Sequence, residues 1–370
     1  MNLRRFVARP GRSVLRRAVQ LRTRGWPTHS RLFAVGERTG WSVDEDARHL
    51  ESTAGRLGFD VAPARWARFA VRQSVFLSSH FQALSPTWLE SSHRLGTAYL
   101  HGRPGTAGYP EFDRAYEALR AAPERFARIQ VTHSEMRDLV LDAGIEATRV
   151  HLIPIGIDLE NFPLVDAEAR ASARAALGIP ASAFVVGSFQ KDGVGWGEGL
   201  EPKLVKGPDV LIAALERIRA GAPDLIVLLT GPARGFVRRE LERLAIPYRH
   251  VLAKSRAELA RTYHALDVYV VASRQEGGPK AVLESMATGI PLVTTRVGQV
   301  PEIAPSDVGV QVVDVDDVDA LADGVLRARD DVDLRATLAA GRARAERYDY
   351  EKLDSAWAAL LTGFVDSSGR

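Results

Sequence analysis

Short apolar runs alternate with segments of helical period along most of the chain, the pattern of strands joined by crossover helices. Arg31-Leu-Phe-Ala-Val-Gly-Glu37 reads as a buried strand, followed by a glycine-containing loop through Gly40 and Trp41. Asp44 is expected to cap a helix in which Ala47, Leu50, Ala54 and Leu57 recur at helical spacing before Gly58 stops it. A second strand around Phe59 to Ala62 would complete a β-α-β unit. Strand-like runs at Ser74 to Ser78 and Thr97 to Leu100, a helix from Phe112 to Leu119 and a strand from Arg128 to Thr132 continue the alternation.

Val150-His-Leu-Ile-Pro-Ile-Gly-Ile-Asp158 is a strand ended by Pro154 and Gly156, and polar, Ala-rich sequence follows to Gly178. The domain boundary is placed there, dividing a first domain over 29–158 from a second over 159–345. The second domain alternates again, with strands at Phe184 to Gly187, Asp224 to Gly231, Val268 to Ala272, Pro291 to Thr295 and Val310 to Val313. A last segment, 346–370, carries Leu353, Trp357, Leu360 and Leu361 on one apolar face. The expected fold is α/β, two Rossmann-like doubly wound domains facing a central cleft, with ligands at the carboxyl ends of the strands.

A chain of 370 residues is long enough for two cores, and 46% hydrophobic with 26% charged residues is the balance of a globular protein. With no cysteine, disulfides, thiolate metal sites and cysteine nucleophiles are excluded. The net charge of +3 is unevenly placed: Arg4, Arg5, Arg9, Arg12, Arg16, Arg17, Arg22 and Arg24 lie between Met1 and Trp26 with no acid. This basic arm, 1–28, either lies on an anionic membrane surface or extends into solvent, since Pro10 and Gly11 interrupt a helix there. No run approaches the roughly 20 apolar residues of a spanning helix, and the arm is too broken for a secretory signal. A cytoplasmic protein, at most resting on the inner face of the membrane, is expected, with no nucleic acid among its partners.

Chemistry concentrates in Ser273-Arg-Gln-Glu-Gly-Gly-Pro-Lys-Ala-Val-Leu-Glu-Ser-Met-Ala-Thr-Gly289. The segment leaves a strand and opens a helix at Pro279, and Gly289 suits its stop. Backbone N–H groups of Gly277, Gly278 and the first turn, including Lys280, would then face an anion such as a diphosphate. Glu276 at the mouth and Glu284 about two turns inside are acceptors for sugar and ribose hydroxyls. With the following Met286-Ala-Thr-Gly289-Ile-Pro291, Gly298 and Glu302, this stretch resembles the Glu-x7-Glu motif of family 4 glycosyltransferases, enzymes of the GT-B fold.

The resemblance implies a retaining, metal-independent transferase whose substrate is a nucleotide sugar, UDP- or GDP-linked, with no resident cofactor. It assigns donor binding to Gly187, Ser188, Gly231, Glu276 to Lys280 and Glu284, and makes Lys206 the cation that stabilises the departing phosphate. Ser188 stands where the family carries an arginine, and Lys191 or Lys203 is the candidate replacement. In the first domain His101, in Tyr99-Leu-His-Gly102, resembles the family's histidine near the transferred sugar, while Gly36, Gly40 and Trp41 lie where acceptor access is shaped. Lys206, Glu276 and His101 are the expected catalytic set. Asp314-Val-Asp316-Asp317 has a manganese-binding pattern but follows a strand and precedes a helix, so capping is expected. The acceptor is read as a saccharide or lipid-linked molecule of cell-envelope or exopolysaccharide synthesis. The alternatives are a non-catalytic nucleotide-sugar-binding subunit and a sugar-nucleotide epimerase.

Overall fold

The computed structural model describes residues 30–37, 42–304, 310–330 and 334–366. The chain divides into two units, Met1–Ile153 with Asp354–Arg370, and Pro154–Leu353.

The first unit is a five-stranded parallel sheet of β1 (Leu32–Val35), β2 (Ser74–Leu77), β3 (Arg94–Ala98), β4 (Phe126–Val131) and β5 (Val150–Leu152), in that spatial order. Its crossovers include α1 (Ser42–Arg56), α2 (Pro110–Ala121) and α3 (Ser134–Asp142). All residues of β1 and β2 are buried, as a parallel sheet covered on both faces requires. Phe33, Val75, Leu77, Leu95, Phe126, Ile129 and Val131 form the core between sheet and helices.

Phe59 to Ala62 is not a strand; Phe59 and Val61 stand in isolated bridges, that of Val61 with Leu32, and β2 closes the β-α-β unit. Asp60 O and Ala62 N–H take up both backbone groups of Leu32. Pro63 then ends the pairing, because it has no N–H to donate and leads into a 3-10 turn, Ala64–Trp66. Asp44 does not cap α1 but sits within its first turn, where a buried carboxylate meets the positive end of the helix.

The helix Asp354–Leu361 clusters with the first unit. Trp357 packs edge-on against Phe76, 6.1 Å between ring centroids. Arginines satisfy carbonyls in the last turn of the helix and just past it: Arg128 Nε donates to Leu360 O at 2.9 Å and Nη2 to Thr362 O at 3.0 Å, and Arg94 Nη2 donates to Gly363 O at 2.6 Å.

The second unit is a six-stranded parallel sheet in the order β11-β10-β9-β6-β7-β8. The strands are β6 (Phe184–Ser188), β7 (Leu225–Thr230), β8 (Tyr248–Val251), β9 (Val268–Val271), β10 (Leu292–Thr295) and β11 (Val310–Val313). The helices of this unit include Pro208–Gly221, Gly235–Arg243, Arg256–His264, Lys280–Thr288 and Val318–Asp330. Apolar clusters fill both faces. From β6 the order runs one way to β8, and from β9 the other way to β11. The adjacent pair β6 and β9 is therefore the switch point at which an open α/β sheet binds its ligands.

The Ala-rich segment after the boundary holds a helix that the apolar pattern did not show, Ala167–Ala176. Asp166 caps it by accepting from Ala169 N–H at 2.7 Å. Its buried residues are Ala173 and Arg174, the arginine donating to Asp267 Oδ2 at 2.6 Å and to the carbonyls of Ala265, Ala181 and Ala183. One alanine and a buried arginine make too thin an apolar stripe for such a helix to be recognised by.

Candidate functional site

The loops that leave β6 and β9 carry the polar groups of the second unit. Lys206 belongs to the 3-10 turn Leu204–Lys206, held against the loop after β9 by Val205 O, which accepts from Arg274 N–H at 2.8 Å and Gln275 N–H at 3.1 Å. Gly207 follows at φ 61°, and a Cβ there would lie 1.8 Å from Ala272 O. Only glycine permits this approach, which brings the lysine to the strand end. Arg274 also grips Asp209 through two bonds of 2.8 and 2.7 Å, tying the next helix to the same loop.

At this junction Lys206 Nζ donates to Glu276 Oε2 at 2.6 Å, and Ser273 Oγ and Gln190 Nε2 donate to Glu276 Oε1 at 2.7 and 3.2 Å. Gln190 further donates to Ser273 Oγ at 3.0 Å. Glu276 is nearly buried and Lys206 keeps part of its side chain in solvent. A carboxylate oxygen has more than one lone pair and an ammonium three N–H bonds, so both keep capacity for a ligand. Ser273 and Gln190 were missed in the sequence. The i, i+3 spacing of Ser273 and Glu276 was a readable signal, whereas nothing local marked Gln190.

Immediately after Glu276, Gly277 O accepts from Gln299 N–H at 3.0 Å. Gln299, fully buried, fastens Ile155 through its side-chain amide, accepting from N–H at 2.8 Å and donating to O at 3.2 Å. Gly278 packs on the Gln299 side chain. Pro279 holds the N-cap position, no side chain caps the turn that starts at Lys280, and Gly289 ends the helix in the left-handed conformation. This is a fixed helix N-terminus beside a lysine, suited to an anion.

Glu284, on the second turn, is buried with both oxygens engaged: Arg256 Nη1 donates to Oε1 at 2.9 Å and Tyr263 Oη to Oε2 at 2.9 Å. Burial, reinforced by the Glu284 carboxylate, raises the Tyr263 pKa well above its ordinary value, so the phenol remains a donor. Arg256 and Tyr263 had no sequence signal linking them to Glu284, which lies 28 and 21 residues away.

The segment Phe189 to Lys203 carries the other cations. Burial, and then the charge of Lys206, hold the Lys191 ammonium below the usual lysine pKa, which places it in the field of Lys206. Its Nζ lies 4.6 Å from the ring centroid of Trp196. Lys203 fixes the loop by donating its backbone N–H to Asp192 O at 2.7 Å. Beneath the loop, fully buried Arg234 donates to Ser188 O at 2.6 Å and Thr230 O at 3.0 Å, with Nε 3.0 Å from Asp192 Oδ1. Burial pushes the Asp192 carboxyl up against the pull of this arginine. Gly187 packs on Leu266 within β6, and Gly231 O contacts His250 Nε2 at 2.7 Å beyond β7.

Other expected residues belong to the first unit. His101 has ring neighbours His80, Phe81 and Phe112 at 5.8 to 6.1 Å. His80, which the sequence reading missed, stacks on Tyr99 at 4.0 Å; burial and the nearby His101 lower its pKa and keep the imidazole neutral. Gly36 O accepts from Gln82 Nε2 at 3.4 Å. Gly40 and Trp41, like the basic arm, lie outside the described residues. The aspartates after β11 are engaged locally: Asp317 Oδ1 caps the next helix by accepting from Ala320 N–H at 2.9 Å, Asp316 pairs with Arg274 at 2.7 Å and Asp314 with Arg296 at 3.3 Å.

Residues 197–331 match the family Glycosyl transferases group 1. Over 259 residues the chain is 35% identical to a D-inositol 3-phosphate glycosyltransferase of Xylanimonas cellulosilytica, covering 66% of this chain and 58% of that protein. With the protein of the same name from Segniliparus rotundus it shares 30% identity over 281 residues, covering 71% and 58%. The chain thus spans under two thirds of the length of these relatives. Among solved structures, Anabaena HepE in complex with UDP and glucose superposes with a TM-score of 0.71 at 16% identity, covering 90% of this chain and 99% of that one. Sucrose-phosphate synthase from Thermosynechococcus elongatus gives 0.61 at 22% identity, covering 78% and 71%. These likenesses show the fold, the two-domain α/β architecture of GT-B glycosyltransferases.

Proposed function

We propose that this chain, whose residues 197–331 match the glycosyl transferases group 1, moves a sugar from a nucleoside-diphosphate sugar to an acceptor hydroxyl, with retention at the anomeric carbon. The observation that carries this reading is the Lys206–Glu276 pair at the β6/β9 switch point, 2.6 Å apart and beside a helix N-terminus. The bond from the sugar's C1 to the diphosphate oxygen breaks, and the acceptor oxygen bonds C1 from the same face. The acceptor proton passes to the departing phosphate. Lys206, Lys191 and the helix amides take up the developing charge, while Glu276 and Glu284 accept from donor hydroxyls. Lys191 stands in for the arginine absent at Ser188, supported by its proximity to Lys206. A UDP- or GDP-sugar is the expected donor, without a resident metal or cofactor. The relatives named for inositol phosphate, and HepE with UDP and glucose, support a polyol or saccharide acceptor and a UDP-sugar. The second unit binds the donor, while in the first His101 acts near the transferred sugar and Gly36 shapes acceptor access. No helix of the described residues is long and apolar enough to cross a membrane.

The test is a thermal-shift and donor-hydrolysis panel of UDP-, GDP- and ADP-sugars. One nucleotide is expected to stabilise the protein by about 2.7 kcal/mol at a hundredfold excess over its Kd, and Glu284→Ala to abolish the response. The serine at 188 favours one second reading, a donor-binding subunit without turnover. Binding with no hydrolysis or transfer would establish it, and no response to any nucleotide would overturn both.

The Lys191 assignment predicts a pH dependence. Its positive charge is present below its lowered pKa and lost as pH rises through it. Nucleotide affinity should therefore fall on the alkaline side earlier than an ordinary lysine would dictate, and Lys191→Arg should flatten that limb in calorimetric titrations. A wild-type affinity independent of alkaline pH would remove Lys191 from the site.

A further inference from the structure

In the first unit the turn after Pro63 exposes two large aromatic side chains, Trp66 at 54% and Phe69 at 43%, while Ala67 between them is buried. Their rings meet edge-on at 6.0 Å. Exposed Arg65, Arg68 and Arg72 flank them, and no acid occurs between Asp60 and Glu90. The Arg65 guanidinium lies 5.7 Å from the Trp66 ring centroid, and that of Arg68 lies 6.0 Å from the ring of buried Trp88. The cations are thus held beside the aromatic pair.

We infer that this turn, from Arg65 to Arg72, is a contact surface for an anionic phospholipid bilayer. An indole presents an apolar body and a polar N–H, which suits the interface between headgroups and acyl chains, and the Phe69 ring adds apolar area beside it. Each arginine near a negatively charged leaflet adds attraction, while the aromatics supply what a purely ionic contact lacks. A single-stranded nucleic acid would use rings as platforms for successive bases; Trp66 and Phe69 stand 62° apart, so two neighbouring bases cannot stack on both. This contact does not depend on the identity of the sugar donor.

The test is co-sedimentation of the full chain with vesicles of phosphatidylglycerol and phosphatidylcholine, and of phosphatidylcholine alone. The wild type should partition onto the anionic vesicles and release with salt, as charges beyond a Debye length of about 8 Å are screened. Arg65→Gln with Arg68→Gln should lower partition by on the order of 25-fold, at about fivefold per arginine. Brominated lipids should quench the fluorescence of the wild type, and Trp66→Phe, which preserves an aromatic in the turn, should remove part of that quenching. Equal partition of wild type and the double variant would overturn the inference. So would arginine-dependent partition with quenching unchanged in Trp66→Phe, which would assign the patch to a soluble polyanion.

Discussion

Lys206→Ala is expected to lower turnover by about 10²- to 10³-fold, the cost of removing one preorganised group that meets charge as it develops. The lysine is placed by backbone: Val205 O is held by two N–H groups of the β9 loop, and Gly207 lets the turn lie on Ala272. Because its partner Glu276 is nearly buried, the variant also removes the lysine counter-charge from a carboxylate that accepts from Ser273 and Gln190. The measurement is kcat and kcat/KM for donor hydrolysis or transfer. An equal fall in both marks an interaction made in the transition state, whereas a rise in KM alone would show that Lys206 only binds the donor. Lys206→Arg should keep much of the nucleotide binding, since the charge remains.

The largest effect on stability is expected at Arg234. Its side chain is fully buried, its Nε lies 3.0 Å from Asp192, and Nη1 closes the carbonyls at the ends of β6 and β7. Arg234→Met strands a buried carboxylate and should cost about 3–5 kcal/mol, read as a lower urea midpoint at constant slope. Arg234→Met combined with Asp192→Leu should recover a large part of that loss, because an apolar pair no longer leaves a charge unmatched. If the double variant were no more stable than the single one, the carbonyl bonds rather than the ion pair would be what the arginine contributes. The same single variant should weaken nucleotide binding, as the loop from Ser188 to Lys203 that carries Lys191 rests on this pair.

Local sequence determined a good deal of this protein. Four- to six-residue apolar runs such as Val268-Tyr-Val-Val271 and Leu225-Ile-Val-Leu-Leu-Thr230 become parallel strands because they are buried on both faces. The helix Lys280–Thr288, its start at Pro279 and its stop at Gly289 were legible because caps are properties of neighbouring residues. The same locality explains the error at Phe59 to Ala62. Its residues suit a strand, but whether a strand forms depends on finding a partner edge and on Pro63 not interrupting it.

What the tertiary structure decided is which distant residues meet. Gln190, Lys206 and Glu276 come together from two loops because β6 and β9, separated in sequence by three crossover connections, are neighbours at the switch point. Arg256 and Tyr263 reach Glu284 from another helix, and Lys191 rather than a residue at position 188 comes into the field of Lys206. Periodicity and capping act over a few residues, so they fix elements and their ends. Pairing of charges depends on strand order and loop path, which are settled only when the whole sheet packs.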